Sequence, residues 1–249
     1  VEYKKMPGAE AKVKFDVAVN FDGGGVLNSF ALSAPAVEAA GRGRWRGDNP
    51  VDDQWAFEIE NTRFRQNTDM TGSIRMGPGG RLFVDLGGSQ FDLRHFIETA
   101  EDDTSDEPAS DENFIVTLTG KEFLLKGDDP LLNDAKMTFS QNGQKRELEI
   151  TARQLIATPW IVSDEADVDA KDRNMKAPNS GGIGQQASRD GGTTEVFVNI
   201  EQMVMANGEL LGDVKGSIHV VGQEWDRLVL NGSLGDRANV FVQVTREDF

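Results

Sequence analysis

The sequence predicts a mainly β chain of repeated antiparallel hairpins, forming either a curved, groove-like sheet or a closed β-sandwich. Three observations lead there. One phrase is written three times, at Asp69-Met70-Thr71-Gly72-Ser73-Ile74, at Asp134-Ala135-Lys136-Met137-Thr138-Phe139 and at Asp213-Val214-Lys215-Gly216-Ser217-Ile218. In each copy an Asp opens a strand, apolar residues come at every second position, and a Gly-bearing turn follows. A second alternating strand then returns, giving a hairpin with one apolar and one polar face. Finally, glycine is abundant at 27 residues while apolar residues make up only 38% of the chain, a balance that suits a turn-rich, thin sheet.

Taken in order, Val13, Phe15, Val17, Val19 and Phe21 alternate with polar or small residues and form the first strand. Phe30 and Leu32 lead into Gly41-Arg42-Gly43-Arg44-Trp45-Arg46-Gly47. This stretch has two readings, an Arg-Gly phosphate-binding patch or a strand with its arginines on the wet face. The period of two fits the strand. Trp55, Phe57, Ile59 and Phe64 form the next strand, and Gly77-Pro78-Gly79-Gly80 turns the first hairpin. Phe91, Leu93, Phe96 and Ile97 suggest a short helix or turn packed on a sheet end. Residues 98 to 113 are acidic, without a basic residue, and read as a solvated linker; their spacing matches no EF-hand loop. Phe114, Val116 and Leu118 restart the sheet. Residues 163 to 194 form a second acidic and Gly-rich insert. Val196, Val198 and Ile200 mirror the restart, and Val240, Val242 and Val244 close the chain.

The expected organisation is a first β-repeat region at residues 1–97, an acidic linker at 98–113, a second β-repeat at 114–162, a flexible insert at 163–194 and a third β-repeat at 195–249. Together they read as one continuous β domain excised from a longer protein. The start at Val1, without Met or an apolar leader, reads as a processing or fragment boundary.

The formal charge of −16 disfavours nucleic acid as a partner and flat docking on an anionic membrane. With no cysteine there is no disulfide or thiolate chemistry. No stretch reaches the roughly 20 apolar residues of a spanning helix. His95 and His219 lie in different units, no nucleophile elbow precedes a helix, and no metal-ligand spacing occurs. The expectation is therefore a non-enzyme with no catalytic residues, no metal and no cofactor.

One face of the hairpins offers Ile74, Met76, Leu82, Val84 and Leu86, then Met137, Phe139, Leu148 and Ile150. Val198 and Ile200 join it, and Ile218, Val220, Leu228 and Leu230 complete it. If the sheet curls into a trough, these residues line it. If a second sheet faces it, they are a sandwich core.

The run from Met203 through Leu210-Leu211-Gly212-Asp213 to Ser217, with Trp225-Asp226-Arg227-Leu228-Val229-Leu230-Asn231-Gly232-Ser233-Leu234, resembles the C-terminal repeats of AsmA-like proteins, especially the YhdP-type envelope proteins of Gram-negative bacteria. Gly72-Ser73-Ile74, Leu82-Phe83-Val84-Asp85-Leu86 and Phe91-Asp92-Leu93 are similar as well. The resemblance covers residues 50 to 249. It implies a periplasmic protein anchored in the inner membrane, whose apolar β-groove carries phospholipid between inner and outer membranes. On that reading the fifteen residues above are a lipid-binding groove, and the partners are phospholipid acyl chains and other envelope proteins. The family's N-terminal anchor helix is missing from this sequence, and the two acidic inserts depart from the family pattern. The alternative is a non-catalytic structural or protein-binding β module of a bacterial envelope protein.

Overall fold

The computed structural model describes residues 11–21, 23–34, 37–46, 55–64, 67–94, 113–125, 129–157, 193–205, 207–221, 224–235 and 238–245. They form thirteen strands: β1 (Lys12–Val19), β2 (Gly25–Ala34), β3 (Val37–Trp45), β4 (Trp55–Phe64), β5 (Asn67–Met76), β6 (Leu82–Asp92), β7 (Asn113–Leu124), β8 (Leu132–Asn142), β9 (Lys145–Ile156), β10 (Thr193–Val204), β11 (Leu210–Val221), β12 (Glu224–Leu234) and β13 (Ala238–Thr245). A 3-10 turn at Pro78–Gly80 joins β5 to β6, where the glycine-rich turn is expected. All thirteen strands lie in one sheet, in chain order, and β1 and β13 form its two free edges. The chain is thus mainly β and groove-like. Its strands make one open sheet, so the closed sandwich is not the arrangement of the described residues.

Alternation sets which side chains share a face, and the β3 arginines obey it. Arg42 and Arg44 are exposed, while Gly41, Gly43 and Trp45 point the other way and are buried or partly buried. Arg42 bonds Glu58 through Nε at 2.6 Å. That hydrogen bond, together with the carboxylate's charge, raises the guanidinium's pKa above its ordinary value.

Ten of the twelve strand junctions are paired antiparallel, but β6 with β7 and β9 with β10 run parallel. The units β4–β5–β6, β7–β8–β9 and β10–β11–β12 are therefore three-stranded meanders that each start from the same side of the sheet. A hairpin turn cannot make a parallel join, because the chain must first travel back the length of a strand. For the twelve-residue β9 that is about 40 Å. The long acidic segments fall at these two joins. Apart from Asn113, Thr193 and Thr194, residues 98–113 and 163–194 lie outside the described residues.

The aspartates of the threefold phrase are expected to open strands. Instead they lie inside β5, β8 and β11, and each adopts the left-handed backbone, with φ of 56° at Asp69, 47° at Asp134 and 50° at Asp213. Aspartate is one of the few side chains that tolerates this conformation. Strand pairing is interrupted on one line through Asp134, Arg153, Glu201 and Asp213. This crease resets the side-chain alternation. Beyond it, Phe91, Phe123, Leu132, Leu155, Met203 and Leu211 form a row across β6–β11. That row packs against Ala135, Ala152, Ile200 and Val214 on the near side of the crease.

Small residues make room for the fold-over. A methyl group at Gly120 would lie 2.7 Å from the Phe91 ring and 3.1 Å from that of Phe123. The two rings stack at 5.1 Å, and Phe123 and Leu131 are fully buried. Phe91 thus belongs to a strand that continues to Asp92, so the helix or turn expected around it starts later than Phe91, with Arg94 helical; residues 95–97 lie outside the described set. The core sits along this crease, and the rest of the apolar face has no second sheet against it among the described residues.

Candidate apolar groove

Register places the expected groove residues in neighbouring rows across the strands. An inner row contains Leu86, Met137, Ile150, Val198 and Leu230. A middle row contains Ile74, Val84, Phe139, Leu148, Ile218 and Leu228. Met76, Leu82 and Val220 belong to a third row at the lip farthest from the crease. Ile200 stands in the row beside the crease and is 1% exposed, so it is core. The other fourteen are partly buried. All fifteen share one face, as alternation requires.

The inner and middle rows extend beyond the three phrase copies to both edges of the sheet. The middle row begins at Val17, Leu27, Gly43 and Phe57, and ends at Leu228 and Val244. Thirteen strands about 4.8 Å apart make a strip about 58 Å long. At the edges the strip is bare: Phe15 is 72% exposed and Val244 40%. Tilted aromatic pairs, Trp55 with Phe57 and Phe114 with Phe139, each 5.5 Å apart, lie within it. The Phe57 ring covers Gly43, and the Trp45 ring covers Gly25.

The opposite face carries the charge. Lys136, Thr151, Asn199 and Lys215 form one exposed row. Arg153 Nε donates to Asp134 at 2.6 Å along the crease. Beside it, the Asn133 amide donates to Gln154 at 3.0 Å, and Gln154 donates to Gln202 at 3.3 Å. His219 lies on this face, with Nδ1 3.2 Å from Asp226. His95 is outside the described residues. No group of three or more His, Asp or Glu side chains is arranged to hold a metal among the described residues.

Sequence reasoning missed one residue on the apolar face. Arg146 pairs with Gln141 on one side and Thr194 on the other, in the lip row, two positions before Leu148 on the same strand. Its signal was present, since Arg146 is in phase with Leu148 and Ile150, but it lies next to a turn, where polar residues are ordinary. Between the crease and the lip, Arg146 is the one charged side chain on this face among the described residues. Thr62, Gln141 and Thr194 are polar but uncharged.

No helix among the described residues is long and apolar enough to cross a membrane. No family model, curated protein or solved structure matches the chain.

Proposed function

We propose that this chain is a segment of an AsmA-like envelope protein of the periplasm, which holds or conducts phospholipid acyl chains along its apolar face between the inner and outer membranes. The observation carrying the proposal is the unbroken strip of apolar rows, which reaches both sheet edges with no second sheet facing it among the described residues. An acyl chain laid on that strip leaves water at a gain of about 0.8 kcal/mol for each buried methylene. Headgroups remain at the lip in solvent, and no catalytic group is required. The edge strands favour a second reading, a protein-binding β module, because β1 is exposed along its length and is joined by a strand on one side alone among the described residues. A photoreactive residue at Ile218 separates the two. Acyl-lipid adducts are expected from the groove, and protein adducts alone would favour the module.

A further inference from the structure

We propose that Arg146, with Thr194 beside it, is a headgroup station that binds the phosphodiester of a phospholipid whose tail lies across the trough. This inference rests on the groove reading above and adds a position and an orientation to it.

The argument begins with charge. The chain carries −16 overall, yet between the crease and the lip the apolar face holds no carboxylate among the described residues. Its one ion is Arg146, which is exposed and whose side chain has no ion pair or hydrogen bond among the described residues. An arginine in apolar phase loses the carboxylate partners it would have on the other face. Its guanidinium fork matches phosphate oxygens, and an anion held there meets a cation instead of the acidic surface.

The neighbours set the headgroup class. Thr194 is in register with Arg146 on the next strand, one interstrand gap of about 5 Å away, while Gln141 on the other side is buried and already engaged. A guanidinium fork with a hydroxyl beside it offers several donors to the oxygens of a phosphodiester. Arg146 and Thr194 each stand two positions from an apolar residue of the middle row, Leu148 and Val196. From Arg146 to Ile150 the strand runs about 14 Å before it meets the buried row at Ala152. One leaflet of a bilayer is about 15 Å deep, half of a hydrocarbon core of roughly 30 Å. A lipid headed at the lip therefore fits with its tail running toward the buried row.

The test uses the purified chain with three probes of matched acyl length: a phosphatidylglycerol, a diacylglycerol and a free fatty acid. Binding is read by displacement of a fluorescent acyl probe from wild type, Arg146→Gln and Arg146→Lys, with far-UV circular dichroism confirming the fold of each. Wild type is expected to prefer the phospholipid over diacylglycerol by about tenfold. Arg146→Gln should abolish that preference while leaving diacylglycerol binding unchanged, and Arg146→Lys should retain part of it. An unchanged preference in Arg146→Gln overturns the station and leaves the groove standing. A wild type that prefers the fatty acid overturns the phosphodiester assignment. A wild type that binds none of the three overturns the groove reading, and the station with it.

Discussion

Truncating a side chain in the fold-over core should cost far more than truncating one in the trough, and the difference measures whether the trough is open. Phe123 is fully buried and stacks on Phe91 at 5.1 Å with ring planes 16° apart. Removing its ring in Phe123→Ala leaves a cavity between the crease and its small-residue floor, and such changes cost about 3–5 kcal/mol. For a chain of this length that lowers Tm by roughly 6–20 °C. Leu148 is only partly buried, with apolar neighbours in its own row and no facing sheet among the described residues. Full burial of a leucine contributes about 1.5–3 kcal/mol, so Leu148→Ala should cost about half of that and leave no enclosed cavity. Urea denaturation followed by far-UV circular dichroism gives both values. Equal losses for the two variants would refute the reasoning, because they would mean that Leu148 is enclosed as tightly as Phe123.

Two further predictions concern the crease. Asp134→Gly should be neutral to within about 1 kcal/mol, since relief of the left-handed backbone offsets loss of the exposed Arg153 pair, whereas Asp134→Val should lose about 2 kcal/mol in the same denaturation assay. Gly120→Ala should lose about 1–3 kcal/mol because the new methyl meets the Phe91 and Phe123 rings. Gly87→Ala, whose methyl would meet only the Thr119 carbonyl oxygen at 3.8 Å, should lose less than 1 kcal/mol as the thermal-melt control.

The hairpins were legible because alternation is a local property. Ile74 and Val84 announce their shared face within a few residues, and Gly77 to Gly80 announce the turn between them. The face of Arg42 and Arg44 was legible for the same reason. The parallel joins were not, because β7 has the same pattern whichever way it pairs with β6, and only the length of the preceding segment hints at a crossover. The crease was half legible. Asp69, Asp134 and Asp213 stood out as a repeat, but an aspartate before an alternating run reads equally as a strand opener and as a left-handed residue within one. Phe91 was misplaced for that reason, since the reset at the crease breaks the period of two just before it. Among the groove residues, Ile200 was assigned to the trough face correctly, yet its burial depends on the fold-over and could not be read from β10 alone. Arg146 was missed because a basic residue near Gly143 looks like ordinary turn chemistry until register puts it one row out from Phe139, Leu148 and Val196.

Crosslinking in living cells addresses the central claim most directly. A photoreactive residue is placed in turn at Leu148, on the apolar face, and at the adjacent Glu149, on the charged face, and the adducts are weighed by mass spectrometry after organic extraction. The account expects acyl-lipid adducts at Leu148 and none at Glu149. Lipid adducts absent from both positions, or equal at both, would contradict it.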